Sequence, residues 1–308
     1  MTTSDHNKQR DDLLDWLSDL EPSQTHQRVS TNRVEGTCQW FLHDDRFVNW
    51  RHGDPKLLIA HGAPGCGKTI LTSIVIDSLS KFSNNRIALA YFYFDHAKAQ
   101  KYTAEEVAFC LIKQICQYCD DIPNQLTHML RQHRDKRSKP SLKDLYPVSR
   151  SVFCAIDHTY VVFDAIDECE ESHRKRLLTF FKDCTSHSNA KVFLSCRSHL
   201  VPIISVDVGA IIVEIQAHSS DLELSISTAL DETDLLEVPF DFQQQLTTRL
   251  TSNANGMYDN LLFDHILAAR ITCLTYLLQV SPSDAPTTTS ITGAHYWRDA
   301  RCFGKTSG

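Results

Sequence analysis

A glycine-rich turn between an apolar run and a helical pattern restricts this chain to few folds. The turn, Gly62–Thr69, reads Gly-Ala-Pro-Gly-Cys-Gly-Lys-Thr; the run Leu57–Ala60 precedes it and the helical spacing of Ile70–Val75 follows it. A strand, a glycine-rich turn and a helix in this order are what a phosphate-binding loop requires. Glycines let several backbone N–H groups point inward, and the start of the helix adds partial positive charge. An ordinary glycine turn is the alternative, and the local context disfavours it.

The residues of this loop have separate predicted roles toward a nucleotide. The Lys68 ammonium is expected to reach the β- and γ-phosphates, and the Thr69 hydroxyl is expected to ligate Mg²⁺. ATP or GTP together with Mg²⁺ is therefore the predicted ligand. The predicted nucleotide-binding residues of the loop are Gly62, Ala63, Pro64, Gly65, Cys66, Gly67, Lys68, Thr69 and Ile70.

A second strand is predicted to supply a carboxylate for the metal. The run Tyr160–Phe163 is β-branched and aromatic, as in strands buried on both faces, and it ends in Asp164. Because ligands of open α/β sheets sit at the carboxyl ends of strands, Asp164 is the predicted holder of Mg²⁺, through a water. Asp167 and Glu168 follow, and either acid is placed to orient a water against the γ-phosphate. The alternative is a strand that ends in a solvated acidic loop.

A third strand is followed by an arginine. Lys191–Ser195 has the pattern of a buried strand, and Arg197 lies just beyond its end. The guanidinium is predicted to sense the γ-phosphate or to stabilise the negative charge that develops during phosphoryl transfer. An ion pair between Arg197 and a nearby carboxylate at the sheet edge is the alternative. The candidate catalytic residues are therefore Asp167, Glu168 and Arg197.

Alternating strands and helices predict an α/β fold, with a mostly parallel five-stranded sheet covered by helices on both faces. A small helical lid is expected after the last strand, at Asp221–Ile226 and Phe242–Leu250. Thr103–Glu106 matches a capping box that opens the apolar helix Val107–Cys116. The predicted strands are Leu57–Ala60, Ile87–Phe94, Tyr160–Phe163, Lys191–Ser195 and Ile211–Ile215.

Together these motifs resemble the NACHT-type NTPase module of fungal NOD-like receptors, which belong to the STAND class of P-loop NTPases. The acidic motif Asp164–Glu168 is similar to the family's extended second motif, and Lys191–Arg197 resembles its sensor strand and arginine. Upstream, Arg33–Trp40 resembles the lead-in that closes over the base and sugar in that family. The resemblance therefore implies Gly36 and Thr37 as further nucleotide-binding residues.

The resemblance also implies a function, a signalling switch that depends on Mg²⁺, binds ATP or GTP and hydrolyses it slowly. It implies a homo-oligomer or related receptor proteins as partners, and a role in fungal self/non-self recognition or regulated cell death. No repeat with a period of about 20 to 50 residues occurs in the chain. We therefore expect an NTPase unit that is truncated or lacks the family's effector and repeat domains.

The expected domain organisation has four parts. Residues 1–30 form an N-terminal arm with one short helix around Leu13–Leu20, and residues 31–217 form the P-loop core. Residues 218–280 form the helical lid region, in which the likeness to the family ends near Gly256. Residues 281–308 contain prolines and a threonine run without periodicity, so a disordered tail is expected.

Two other functions stay open. One is a module that binds nucleotide without hydrolysing it and supports oligomerisation. The other, less favoured, is a small-molecule or nucleotide kinase on a similar core, which requires a second substrate pocket with its own arginines. The motif Asp164–Glu168 and the long lid favour the first two functions over a kinase, and Asp167 and Glu168 favour hydrolysis.

Charge and hydropathy indicate which partners and which cellular location to expect. With 31 Lys and Arg against 38 Asp and Glu, the net charge of −7 argues against a role built on nucleic-acid phosphates. The polar start Met1–Asp12 has no secretory signal, so a cytoplasmic location is expected. Leu261–Leu278 is the most apolar stretch, but Asp264 and Arg270 interrupt it, which favours an amphipathic helix over a membrane span.

The eleven cysteines are scattered through apolar patterns and do not suggest a disulfide framework. Cys116 and Cys119, followed by two histidines, resemble a zinc ligand set, but the spacing is too short and the segment reads as helix. Cys66 in the phosphate loop lies at a predicted helix start, where a lowered thiol pKa and redox gating are a hypothesis.

Overall fold

The computed structural model describes residues 3–205 and 209–231, which all lie in one compact unit. Three predictions fall outside the described residues: the helix Phe242–Leu250, the apolar stretch Leu261–Leu278 and the tail 281–308. The beginning of the predicted lid region, up to residue 231, lies within them.

Strands and helices alternate along the core, as a parallel sheet requires. The strands are β1 (Leu57–His61), β2 (Ile87–Tyr93), β3 (His158–Asp164), β4 (Ala190–Cys196) and β5 (Ile211–Glu214). The α-helices are α1 (Thr3–Leu17), α2 (Pro22–Asn32), α3 (Gln39–Leu42), α4 (Asp45–His52), α5 (Lys68–Ser80), α6 (Ala104–Cys116), α7 (Asn124–Asp135), α8 (Leu142–Cys154), α9 (Glu171–Ser186), α10 (Val201–Ile204) and α11 (Ser219–Asp231). Short 3₁₀ helices lie at His96–Lys101, Ile166–Glu168 and Ser198–Leu200. Within this described part of the chain, no helix is both long enough and apolar enough to cross a membrane.

The five strands form one sheet in the order β2-β3-β4-β1-β5, and every neighbouring pair is parallel. β4 therefore lies between β1, which leads into the phosphate loop, and β3, which ends in Asp164. The register sets Ala60 of β1 beside Ser195 of β4, and Leu194 beside Phe163 of β3. The carboxyl ends of these three strands thus meet at one edge of the sheet. The predicted α/β fold with a five-stranded parallel sheet is confirmed.

Side chains alternate across the sheet and pack into two separate cores. In β2, Ala88, Ala90 and Phe92 belong to one buried cluster, together with apolar residues of α6, α8 and α9. Leu89 and Tyr93 belong to the other cluster, together with residues of α3, α4 and α5. Strands buried on both faces appear in a sequence as continuous apolar runs, which explains why the pattern located them.

The N-terminal region differs from the expected arm. Residues 1–30 contain all of α1 and most of α2, where the sequence predicts one short helix around Leu13–Leu20. Three leucines of α1 are buried in the larger core: Leu13, Leu14 and Leu17. Arg10 donates hydrogen bonds to the backbone carbonyls of Cys116 (2.7 Å) and Cys119 (2.9 Å). Because its apolar face is covered by the core, α1 packs against the domain.

Helix α6 covers the outer edge of β2. The predicted capping box at its start is confirmed, since the side chains of Thr103 and Glu106 each accept from the other's backbone N–H, both at 3.2 Å. Further along α6, the Gln114 side-chain amide bonds to the backbone N–H (3.1 Å) and C=O (3.0 Å) of Tyr91. An edge strand exposes such groups unless a side chain pairs with them, so Gln114 satisfies the backbone of Tyr91 at this edge.

Candidate nucleotide-binding site

The phosphate loop lies between β1 and α5 and depends on glycine at several positions. Gly65 (φ 71°) and Gly67 (φ 90°) have left-handed backbone conformations, which residues with a side chain rarely adopt. Gly62 lies close to the chain that follows β5. A Cβ at Gly62 would overlap the carbonyl oxygen of Ile215 and approach the Cys66 Sγ to 2.7 Å. Larger residues at these positions would therefore change the shape of the loop.

Lys68 is the first residue of α5, and its side chain turns back toward the loop. The ammonium group donates to the carbonyl oxygens of Gly62 (3.0 Å) and Ala63 (2.7 Å). The loop itself thus positions the cation, at a helix start whose N–H groups also attract anions.

Asp164, at the end of β3, accepts hydrogen bonds from three hydroxyl groups. Thr69 donates to its Oδ2 (2.8 Å), and Thr72 (2.9 Å) and Ser195 (2.7 Å) donate to its Oδ1. The Ser195 hydroxyl also accepts from the backbone N–H of Ala165 (2.8 Å). The two predicted Mg²⁺ ligands, Thr69 and Asp164, are therefore in direct contact.

Burial and hydrogen bonding act on the Asp164 carboxyl in opposite directions. The residue is 2% exposed, and the loss of hydration raises its pKa above the ordinary value. The hydroxyls of Ser195, Thr69 and Thr72 and the charge of Lys68 favour the ionised form, but desolvation is the larger effect on the pKa. A cation beside this carboxylate would favour the charged form further.

Asp167 and Arg197 form an ion pair next to this carboxylate. The Arg197 Nε lies 3.0 Å from the Asp167 Oδ2, and the Arg197 backbone N–H donates to the Asp167 Oδ1 (3.2 Å). The Asp167 side chain is 7% exposed, whereas the Arg197 side chain is 50% exposed. The ion pair that the sequence left as an alternative for Arg197 is thus present.

Glu168 has different surroundings from Asp167. Its Oε2 accepts from the backbone N–H of His96 (2.8 Å), at the start of the 3₁₀ helix that follows β2. Burial raises the pKa of the Glu168 carboxyl, and the charges of Asp167 and Asp164 add to this rise. One carboxylate oxygen is therefore held by a backbone amide, while Oε1 can still accept from a water.

Most of these groups line one cavity of about 530 Å³, a size within the usual range for small-molecule sites. The predicted site residues in its wall are Thr37, Pro64, Gly65, Gly67, Lys68, Thr69, Ile70, Asp167, Glu168 and Arg197. Five predicted residues do not line this cavity: Gly36, Gly62, Ala63, Cys66 and Asp164. Three of these five contact residues that do line the cavity. The carbonyls of Gly62 and Ala63 accept hydrogen bonds from Lys68, and the Asp164 carboxylate accepts one from Thr69.

Sequence reasoning does not identify several residues of the site. The additional wall residues are Asn32, Arg33, Val34, Cys38, Ala165 and Ser225. Thr72 and Ser195, which bind Asp164, are also absent from the prediction. Thr72 lies three positions after Thr69 and thus on the same face of α5, which is a signal that the sequence contains. Ser225 has no such signal, because it comes from a remote helix.

The redox hypothesis for Cys66 is not supported. The thiol is buried, and burial raises its pKa, although the charge of Lys68 acts in the opposite direction. A helix start lowers a thiol pKa only where desolvation does not outweigh it. The expectation of a lowered pKa at Cys66 is therefore wrong.

Residues 36–197 match the family model described as Nephrocystin 3, N-terminal. The match covers more than half of the chain and contains all of the predicted site residues. The chain belongs to the nephrocystin 3 N-terminal family. In this member of the family, the matched region begins in the segment before α3 and ends at Arg197, so four residues of the cavity wall lie outside it: Asn32, Arg33, Val34 and Ser225.

Two curated proteins resemble parts of the chain. The vegetative incompatibility protein HET-E-1 of Podospora anserina is 27% identical over 197 residues, 59% of this chain and 14% of that protein. The proteasome-associated ATPase of Saccharopolyspora erythraea is 44% identical over 41 residues, 13% of this chain and 7% of that protein. The chain thus spans a small part of the length of either relative. The family match and the similarity to HET-E-1 confirm the predicted assignment to NACHT-like P-loop NTPase modules.

Solved structures show weaker likenesses. Orc1 of Aeropyrum pernix, in complex with DNA, has a TM-score of 0.48 at 13% identity, over 86% of this chain and 68% of that chain. The Walker-type ATPase PABY2304 of Pyrococcus abyssi has a TM-score of 0.46 at 15% identity, over 76% of this chain and 72% of that chain. Likenesses of this size do not bear on the function or the partners of this chain.

Proposed function

We propose that this chain is a NACHT-type signalling switch module that binds ATP or GTP together with Mg²⁺ and hydrolyses the nucleotide slowly. One observation carries the proposal: Thr69 bonds to the buried Asp164 at 2.8 Å, and Lys68 and Thr69 line a cavity large enough for a nucleotide. A cytoplasmic location, and a homo-oligomer or related receptor proteins as partners, belong to the same proposal.

The oxygen atoms at Thr69 and Asp164 suit Mg²⁺. This ion prefers hard oxygen ligands, and proteins usually hold it with one or two carboxylates together with the phosphates of a nucleotide. Thr69 offers a hydroxyl and Asp164 a carboxylate, which would act through a water. When bound, the ion would neutralise charge on the β- and γ-phosphates. Ser195 and Thr72 keep the carboxylate oriented from behind.

The remaining groups have separate proposed roles in binding the phosphates and in hydrolysis. Lys68 and the N–H groups of the loop bind the β- and γ-phosphates by charge. We assign the orientation of the attacking water to Glu168, because Asp167 is paired with Arg197 while Glu168 has one oxygen engaged by a backbone amide. Arg197 is half exposed and lines the cavity, so its guanidinium can stabilise negative charge on the γ-phosphate.

A switch also requires the nucleotide to contact parts of the protein that change position. Ligand binding shifts a conformational equilibrium only by its difference in affinity for the two states. The cavity wall includes Ser225 of α11, within the predicted lid region, as well as residues of the phosphate loop. A nucleotide in this cavity would therefore contact the core and the start of the lid together.

One observation favours a non-hydrolysing scaffold as the second candidate. Both acids after β3 are engaged, Asp167 by Arg197 and Glu168 by the His96 N–H. If Asp167 stays paired and the Glu168 carboxylate, held at the His96 N–H, does not reach the γ-phosphate, no carboxylate orients a water. The nucleotide then acts as a structural element that supports oligomerisation. Phosphate release under single-turnover conditions separates this candidate from the switch.

Thermal unfolding with ATP, GTP and their diphosphates, each with and without Mg²⁺, tests nucleotide binding. A ligand that binds the folded form raises the unfolding temperature according to its concentration relative to its Kd. We expect a rise with a triphosphate that is larger with Mg²⁺ and that disappears in Lys68→Ala. Lys143→Ala, which changes an exposed lysine of α8, is the matched control and should respond like the wild type.

Two results would contradict the proposal. If no purine nucleotide at millimolar concentration shifts the unfolding temperature, the chain does not bind nucleotide. If EDTA leaves the shift unchanged, the dependence on Mg²⁺ is wrong.

A further inference from the structure

The cavity wall away from the phosphate loop joins two remote parts of the chain. It is formed by residues between 32 and 38, at the end of α2 and before α3, and by Ser225 of α11. Because the phosphates are expected at the loop, the base and the sugar of a nucleotide would lie against this second wall. The contacts that hold the two parts together therefore shape the nucleoside side of the site.

Asp221 of α11 makes the polar contacts between these parts. Its Oδ2 accepts from the Cys38 backbone N–H (3.1 Å) and from the Trp40 indole Nε1–H (3.1 Å). Asp221 is 5% exposed, and charged groups are seldom buried unless their hydrogen bonds are made. Cys38 has a left-handed φ of 55°, a conformation that needs support from its surroundings when the residue is not glycine. The carboxylate of Asp221 supplies such support.

Apolar and aromatic contacts also join the segment 36–40 to α11 and the residue before it. The Trp40 ring stacks on His218, with ring centroids 5.4 Å apart. A Cβ at Gly36 would lie 3.1 Å from a methyl carbon of Leu224, so the segment and α11 approach closely there. Asp221 thus lies within a packed interface, which excludes water from its hydrogen bonds.

We propose that Asp221 is a positioning residue for the nucleoside side of the site, where it ties the segment 32–40 to α11 and thereby sets the affinity for nucleotide. This inference rests on the proposed function. Asp221 acts through its partners, because Cys38 and Ser225 line the cavity and Asp221 does not. Without the carboxylate, two N–H groups at this interface lose their acceptor, and the segment is free to move away from α11.

Equilibrium binding of ATP and of ADP to the full chain tests the inference. Asp221→Ala is expected to raise the Kd for ATP and for ADP by the same factor, about tenfold, because the two ligands share the base and the sugar. Arg197→Ala, by contrast, should change the affinity for ATP relative to ADP. Asp221→Asn should bind both nucleotides within about twofold of the wild type, because one amide oxygen can accept both hydrogen bonds.

Two further variants separate positioning from folding. Glu223→Ala changes an exposed side chain on α11, two positions after Asp221, and should bind like the wild type. Trp40→Phe keeps one aromatic ring but removes the indole donor to Asp221 and part of the ring surface that stacks on His218, so it tests the same interface if Asp221→Ala does not fold. We expect Trp40→Phe to weaken ATP and ADP equally, by a smaller factor than Asp221→Ala.

Several outcomes would overturn the inference. They are wild-type affinity in both Asp221→Ala and Trp40→Phe, a loss of affinity confined to ATP, or an Asp221→Asn variant as weak as Asp221→Ala. If the wild type itself binds neither nucleotide, the proposed function fails first, and that result is visible before any variant is compared.

Discussion

The two acids that follow β3 are neighbours in the chain, yet their side chains have different partners. Asp167 is paired with a guanidinium at 3.0 Å, and Glu168 accepts a single backbone hydrogen bond at 2.8 Å. The sequence leaves the choice between them open, because both have the same chemistry and both follow the same strand. Their partners make the roles separable by mutation.

Glu168→Gln is expected to slow phosphate release about a hundredfold, the usual contribution of a positioned acid or base, while the Kd for ATP stays near the wild-type value. Asp167→Asn should mainly reduce the preference for ATP over ADP, because it loosens Arg197. Single-turnover phosphate release and equilibrium binding measure the two effects. Normal turnover in both variants would show that neither acid orients the water.

The pH dependence of turnover provides a second test of Glu168. Burial and the nearby carboxylates of Asp167 and Asp164 raise its pKa. The Glu168 carboxyl can accept a proton from the water only when it is ionised. As the pH is lowered, turnover should therefore begin to fall at a higher pH than it would with a glutamate of ordinary pKa. The acidic limb should disappear from the residual rate of Glu168→Gln. An unchanged acidic limb in that variant would assign it to another group.

Among the elements, the loop between β1 and α5 tolerates little change at its first glycine. Gly62→Ala should destabilise the fold by about 1–3 kcal/mol, because the new methyl group overlaps the Ile215 carbonyl. It should also weaken nucleotide binding, since the Gly62 carbonyl helps to hold Lys68.

Gly209→Ala is the matched control for that loop, because a Cβ at this position meets nothing within 4 Å. Urea unfolding compares the two variants, and nucleotide titration follows on the folded forms. Equal stability of Gly62→Ala and Gly209→Ala would contradict the close packing of the loop.

The elements also differ in how well the sequence predicts them. Strands β1 to β4 are predictable because a strand buried on both faces is largely apolar. Strand β5 is only partly buried, and its β-branched run is what marks it as a strand. Helix α2 is not predicted, because none of its residues is buried and no apolar periodicity results. The one sequence signal for this helix is Pro22, because proline is favoured in the first turn of a helix.

For the molecule as a whole, the packing of α1 decides whether residues 1–30 are an arm or part of the fold. Leu14 is buried in the larger core. Leu14→Ala should therefore lower the free energy of unfolding by about 2–5 kcal/mol, measured by urea unfolding. Val48→Ala, at a residue that is 41% exposed, should change it by less than about 0.5 kcal/mol. If the two variants are equally stable, the packing of α1 does not contribute to the stability of the fold.

The family match covers the phosphate loop and the acidic strand, which meet at the edge of the sheet where we propose that nucleotide binds. Lys68, Thr69, Asp164 and the acids after it are recognisable in the chain because each belongs to a short strand–turn–helix or strand–loop pattern. Ser195 beside Asp164, and Asp221 beside Cys38 at a separation of 183 positions, follow only from how β4 and α11 pack. Periodicity records which face of an element is buried, but it holds no information on which distant element covers that face.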